Sequence, residues 1–398
     1  MNRPSTVIAY INAAHFVDHY AMLIFPAALL VMGPALGLAY NELLPYATPG
    51  FIAFGAGSAL TGWLGDCWSR RHMMLLFFWG IGLALILTGL ASTPWQLGIA
   101  LLLVGLFASI YHPVGSAMLV AHARKLGRDM GINGVFGNLG VASSALITGA
   151  VSQWLGWRAA FVMPGLLCLV IGLGFARQVA HEPLRSKSAT SGAAPPLSPD
   201  LMWRVAAASI LAVLAVSPTF NAITVAMPAL LSERLAVLAD QPAMLGLLAA
   251  GIYLFGALTQ YTIGSLIDRY GLRPIFLGFC LLMGPALYAA AQAQGLWLVF
   301  TLIVIIMAIF GMVTVNDTMV GKYTADRWRA RAYAARYLIG FSAAGASVAL
   351  VALLHARGGF TLVLLCLAAL SLLLVAGGLT FPRETAAPVT RAPDYSSP

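Results

Sequence analysis

The chain has 398 residues, of which 60% are hydrophobic and only 9% charged, and its mean hydropathy is +0.88. A soluble domain carries about 25% charged residues, so a water-facing surface is excluded and lipid is the solvent that remains. A net charge of +9 would suggest nucleic acid in a soluble protein, but here the cations sit in short loops between apolar runs, which points to membrane orientation and to no nucleic-acid partner.

A membrane helix needs roughly 20 apolar residues. Twelve such spans follow one another along the chain: 7–32, 43–65, 73–92, 95–121, 130–154, 158–178, 204–230, 241–266, 274–293, 296–321, 330–355 and 359–381. The expected fold class is therefore an all-α membrane protein of twelve transmembrane helices. The first span exceeds the roughly 7–15 residues of a signal-peptide core and is expected to be retained as the first helix. Residues 180–203 are rich in Ser, Pro and Ala and read as a flexible cytoplasmic linker. They divide an N-terminal bundle, 1–179, from a C-terminal bundle, 204–381. The tail 382–398 is short and Pro-containing and is expected to be disordered. Cys67, Cys168, Cys280 and Cys366 have no zinc or CxxC spacing and read as small apolar fillers.

The basic residues orient the spans. With the N-terminus in the cytoplasm, every Lys and Arg falls in a cytoplasmic segment except Arg158, Arg234, Arg357 and the intramembrane Arg336. That bias follows the positive-inside rule. An odd span count would put Arg383 and Arg391 on the wrong side, so both termini are expected in the cytoplasm.

Two loops repeat. GWLGDCWSRR at 62–71 and GSLIDRYGLR at 264–273 both fit G-x-x-x-D-x-x-[SG]-x-R, and their Asp66 and Asp268 stand 202 residues apart. A looser match joins the run from Arg128 to the run from Arg331. Six-helix halves repeated in this way suit duplication about an axis along the membrane normal. Gly62 and Gly264 are expected to allow close helix packing. The aspartates would be favourable facing the N-terminus of a neighbouring helix. Arg70, Arg71, Arg269 and Arg273 are expected to meet lipid headgroups or a carboxylate, and Gly271 completes the second copy.

These spans, the linker and the duplicated loop resemble the major facilitator superfamily over nearly the whole chain. The second loop matches that family's G-x-x-x-D-R-x-G-x-R pattern in full, whereas the first carries Cys67 and Ser69 in place of Arg and Gly. The resemblance implies two six-helix bundles with pseudo-two-fold symmetry, a monomer, and loops that latch the cytoplasmic side. It also implies that Asp66 meets the start of span eleven and Asp268 the start of span five. A narrower likeness, to fosmidomycin-resistance-type efflux proteins, rests on His15, Asp18 and Pro26 in span one and on Tyr111-His112-Pro113 in span four.

Ionisable residues inside spans are costly and mark function by default. Asp18 lies about eleven residues into span one, near the midplane at about 1.5 Å rise per residue. It reads as a proton carrier with His15, one turn earlier, as relay or hydrogen-bond partner, or else as a permanently bonded structural residue. His19 points away from that face and is a candidate for the substrate cavity. Tyr111 and His112 sit beside the bend expected at Pro113 and read either as cavity-lining or as hydrogen-bonded packing residues. Asn316 and Asp317 in span ten and Arg336 in span eleven lie at similar depth. An Asp317–Arg336 ion pair would be a gate, an anion site or a fixed clamp. Asn133, Asn138, Asn221, Tyr253 and Gln260 are further cavity candidates, each also readable as interhelical glue.

A nucleotide P-loop, zinc spacings and a serine-hydrolase elbow are all missing from the sequence. No cofactor, metal or enzymatic activity is expected. The reading is a secondary transporter of the bacterial inner membrane that exports a small drug-like or metabolite molecule against protons by alternating access. The alternative is a proton symporter that imports a small organic acid or metabolite.

Overall fold

The computed structural model describes residues 4–123, 126–180, 199–323 and 326–382. Residues 181–198 of the expected linker and 383–398 of the expected tail lie outside the described residues, as do the side chains of Asp66 and Asp268 and the start of span eleven. The latch contacts of the two aspartates therefore fall outside them as well.

Among the described residues the regular structure is entirely helical. The first half runs through α1 (Pro4–Leu36), the short α2 (Tyr40–Leu43), α3 (Thr48–Cys67), α4 (Arg70–Leu90), α5 (Pro94–Ala108), α6 (Ser116–His122), α7 (Leu126–Leu155) and α8 (Trp157–Gln178). The second runs through α9 (Pro199–Arg234), α10 (Pro242–Tyr270), α11 (Leu272–Gln292), α12 (Gly295–Tyr323), α13 (Asp326–Leu370) and α14 (Leu372–Thr380).

Among the described residues, ten stretches are long and apolar enough to cross a membrane. One of them, Leu338–Thr380, holds two spans, because helical geometry breaks at Gly358 and Gly359. Gly359 has φ +60°, in the left-handed region that glycine tolerates best. The twelfth is α3, diluted by Gly, Ser and Thr. Span two also starts later than expected. Residues Leu44–Ala47 form a 3₁₀ turn with Pro45 at its start, and the α-helix begins only at Thr48. Span four is not continuous. Its residues Tyr111–Gly115 form a π-helical turn around Pro113, which has no N–H to give the ladder.

The packing repeats between halves. In the first, α1 packs on α7 and α4 on α8; in the second, α9 packs on α13 and α11 on α13 and α14. The halves meet through α7 with α10 and α3 with α13, the same two positions exchanged. Leu83, Leu87, Leu167 and Val170 point outward as exposed apolar side chains, which only lipid accommodates. Exposed Trp95, Trp154 and Trp297 ring one face of the molecule, and Trp68, Trp203 and Tyr270 ring the other, as aromatic residues do at the two membrane interfaces.

Two faces can be distinguished. At the terminal face, α1 and α9 begin and α8 ends. At the opposite face the halves are closed on each other. There a Cβ added to Gly149 would overlap the Pro242 carbonyl oxygen, and one added to Gly246 would overlap that of Ala145. Nearby, the Ala243 amide donates to Gln153 Oε1 at 3.0 Å. Tyr40 of the first half packs edge-on against His355 and Phe360 of the second. Toward the terminal face the glycines are less crowded. Among the described residues, Gly131 and Gly134 of α7 and Gly264 of α10 have no atom near enough to touch an added Cβ. Gly264 thus departs from the close packing expected of it, while its counterpart Gly62 does approach the Pro113 ring, 3.1 Å from an added Cβ.

The duplicated loops also differ from expectation. Arg71 donates to the main-chain carbonyls of Val179 at 2.5 Å and Ala176 at 2.7 Å, at the C-terminal end of α8. Arg273 donates to the Phe381 carbonyl, just past α14, at 3.4 Å. The last carbonyls of a helix have no intrahelical partner, so these two arginines cap the sixth helix of their own half. Arg269 lies over the ring of Tyr270. Ser69 caps α4 by accepting from the His72 amide at 3.3 Å, where the second copy turns instead through Gly271 at φ +83°.

Candidate functional site in the central cavity

A cavity of about 330 Å³ lies between the halves. It runs from Met22, Thr224 and Val225 deep in the molecule to Met130, Asp317 and Arg336 toward the terminal face. A separate cleft of about 10 Å³, lined by Pro26, Ala145, Met227 and Tyr253, lies between it and the opposite face. Of the residues expected from sequence, His15, His19, Tyr111, His112, Asn133, Asn138, Asn221, Gln260, Asp317 and Arg336 line the cavity. Two residues expected there, Tyr253 and Asn316, do not, and neither does Asp18, expected as a proton carrier. Tyr253 lines the smaller cleft. Asn316 turns toward α9, where it accepts from Ser209 at 3.3 Å. Asp18 is completely buried behind the wall.

The polar wall of the first half is built by α1, α7 and the π-helical turn. The Tyr111 hydroxyl donates to Asn133 Oδ1 at 2.9 Å, and Asn133 Nδ2 donates to Asn12 Oδ1 at 2.9 Å. These three side chains are buried and satisfy one another, as buried polar groups must. His15 Nδ1 lies 2.7 Å from the Asn133 carbonyl oxygen. That oxygen can only accept, so Nδ1 carries the proton. The His15 ring stacks on Tyr111 with centroids 4.7 Å apart. Its Nε2 edge rests over Gly137, where any Cβ would overlap it. The bare backbone at 137 is what lets α1 and α7 hold the imidazole between them.

Two expectations for α1 need correction. His15 was expected to serve Asp18 as relay or hydrogen-bond partner, yet its Nδ1 is held by the Asn133 carbonyl. Asp18 instead lies 3.4 Å from His112 Nε2. Neither carboxyl oxygen of Asp18 makes a hydrogen bond among the described residues. His19 was expected to point elsewhere, but its ring centroid is 5.0 Å from that of His15 and 5.5 Å from that of His112. Residues four apart share a helix face, and that spacing in the sequence was the signal for the pair. The three imidazoles place ring nitrogens within 4.8 Å of one another.

The wall from the second half is different in kind. Arg336 pairs with Asp317 across α12 and α13. Asn221 donates to the Ser217 carbonyl at 2.8 Å. Asn138 of α7 donates to Gln260 of α10, a polar contact between the halves at the cavity edge. The arrangement offers imidazoles and a buried carboxyl on one side and an ion pair with amides on the other. It surrounds a volume suited to a small solute, with no nucleophile and base aligned on a reacting centre among the described residues.

A family model described as Major Facilitator Superfamily matches residues 11–237 and 210–394. The fold is similar to that of a bacterial homologue of the human lysosomal transporter Spinster in an inward-facing and occupied conformation, with TM-score 0.77 and 14% identity, covering 96% of this chain and 97% of that one. It is also similar to a mutant of the nucleoside transporter NupG, with TM-score 0.71 and 16% identity over 94% of this chain and 100% of that one. The puromycin resistance protein of Streptomyces alboniger is 30% identical over 126 residues, which are 31% of this chain and 25% of that protein. With the family model matched across both halves, the twelve-span architecture accounted for and a central cavity between the bundles, the chain belongs to the Major Facilitator Superfamily of membrane transporters.

Proposed function

We propose that this protein is a proton-coupled exporter of a small drug-like or metabolite molecule, a monomer in the bacterial inner membrane with both termini in the cytoplasm. The observation that carries the reading is Asp18. It is 0% exposed, lacks a hydrogen bond among the described residues, and sits 3.4 Å from an imidazole nitrogen of the cavity wall. An ionised carboxyl in such a place is costly unless paired. Its proton state therefore biases how tightly α1 and the π-helical turn pack. His112 is the group through which a proton passes between Asp18 and the cavity.

The bundles 1–179 and 204–381 rock about the cavity, joined by the linker 180–203. The positive-inside distribution orients the terminal face to the cytoplasm, so the conformation described here is open inward. Similarity to an antibiotic-resistance protein over part of the chain supports export. A second reading, import of an organic anion with protons, is favoured by Arg336, whose guanidinium lies in the cavity wall. A carboxylate or phosphonate that displaces Asp317 would find a ready partner there.

The test is reconstitution in liposomes loaded with a pH-sensitive dye, with Asp18→Asn alongside wild type and with puromycin, other antimicrobials and organic acids as solutes. Solute-dependent proton flux that vanishes in Asp18→Asn supports the reading, and the sign of the pH change separates export from symport. Solute movement without proton movement in either protein refutes proton coupling.

A further inference from the structure

We propose that His15, His19 and His112 bind a divalent ion of the late first-row transition series, so that the cargo class includes such an ion or a small molecule that chelates one. This rests on the reading of the cavity as the transport site. The three imidazoles come from two helical elements, face the cavity, and bring ring nitrogens within 4.8 Å of one another. Zinc–imidazole bonds are about 2.0–2.1 Å long. Three nitrogens around one tetrahedral ion then stand about 3.3 Å apart. The ring nitrogens need to close by up to about 1.5 Å, within the reach of side-chain torsions.

The surroundings fit a ligand set better than an ordinary packing cluster. A metal-binding histidine characteristically donates its second N–H to a backbone carbonyl or a carboxylate. His15 makes the first kind of contact through Asn133, leaving the Nε2 lone pair for a cation. Asn133 is itself fixed by Tyr111 and Asn12. The buried Asp18 carboxyl lies 3.4 Å from His112 Nε2, near enough to accept the second kind of contact once the rings reorient, although it makes no hydrogen bond among the described residues here. Neutral imidazoles bring no charge of their own, so Asp18 supplies the anion that a divalent ion needs in an apolar wall. Nitrogen donors without further oxygen ligands select zinc, copper, nickel or cobalt over magnesium or calcium. The fourth coordination position opens on the cavity, where water or a chelating solute fits.

The experiment is a titration of the purified full-length protein, free of any polyhistidine tag, with cobalt(II), read by its visible absorption. Cobalt alone and cobalt held by a bidentate chelator form separate arms. Expected is one saturable site per chain in at least one arm, and the arm that binds tells whether a free ion or a chelate is taken. Binding weakens about 10–100-fold in Asp18→Asn and is lost in His19→Ala, His15→Asn and His112→Gln. It is unchanged in His72→Ala and His122→Ala, and excess magnesium does not compete. Gel filtration and helical content check that each variant is folded. No saturable site in the wild type in either arm overturns the proposal, as does a site undiminished in all three folded histidine variants. Failure here with intact solute-driven proton flux in liposomes removes the metal site and leaves the transporter reading standing.

Discussion

Gly149→Ala and Gly246→Ala put a methyl group into a close backbone contact between the two halves. At 149 the new Cβ would overlap the Pro242 carbonyl oxygen and lie 2.9 Å from its carbon. At 246 it would overlap the Ala145 oxygen and lie 2.7 Å from its carbon. These obstacles are main-chain atoms of long helices, so relief comes from separating α7 and α10 and not from turning a side chain. Overpacking of this kind costs about 1–3 kcal/mol. The penalty is absent in any conformation that parts these helix ends, so it acts on the equilibrium between conformations. A differential of about 1–3 kcal/mol moves a population about 5–150-fold. The two sites are neighbours, and the double variant is expected to be less than additive. The assay is pulsed electron paramagnetic resonance in nanodiscs, with nitroxides at Trp95→Cys and Leu296→Cys and with the exposed Cys67 changed to serine. Those positions are 79% and 85% exposed and lie on the opposite face, one in each half. Expected is one short distance in the parent and a second, longer distance in either glycine variant. A folded Gly149→Ala protein with an unchanged distance distribution would refute the claim that this contact closes the opposite face.

Arg71→Ala and Arg273→Ala are expected to lower the thermal unfolding temperature in detergent, and the first more than the second. Arg71 makes two short charge-assisted bonds where Arg273 makes one long one, each good bond being worth about 1.5–3 kcal/mol; equal losses would refute the capping assignment. Tyr111→Phe removes one donor from Asn133 and is expected to cost about 1–3 kcal/mol, with Asn133→Ala costing more because it frees both Tyr111 and Asn12. Unfolding measurements that reverse this order would place the hub of the network elsewhere.

The lipid-spanning segments were legible because length and hydropathy alone decide which stretches can cross a membrane. The reversal at Gly358–Gly359 was legible for a similar local reason, since paired glycines between apolar runs end a helix. The faces of α1 were less so. His15 and His19 lie four residues apart, which places both on one side of the helix, but the intramembrane carboxyl of Asp18, one turn from His15, is the stronger local signal for a partner. Its true neighbour, His112, is remote in sequence and is aimed by a π-helical turn. Pro113 marked that disturbance without specifying its form. Arg71 reads as a surface cation in a loop, and nothing local reveals that two carbonyls more than a hundred residues onward lie within its reach. Contacts within a turn or two of helix were thus open to inspection, whereas contacts between helices depended on the assembled bundle.

The duplication explains where the chemistry is concentrated. Carried across at the 202-residue spacing of Asp66 and Asp268, His15, Asp18 and His19 correspond to Ser217, Phe220 and Asn221. All three of those residues line the same cavity. Both copies thus kept the inward face of their first helix, but only the first copy carries titratable groups there. The second holds its charge elsewhere, in the Asp317–Arg336 pair between α12 and α13. A symmetric pair of sites would give a solute no reason to engage one bundle before the other. Under the proposed reading a cation or proton would be drawn to the first half and an anionic group to the second, so a solute with both characters would bridge the bundles. Such a bridge would favour conformations in which the terminal ends of the bundles approach, which is the movement the proposed alternating access requires of a state open at the terminal face.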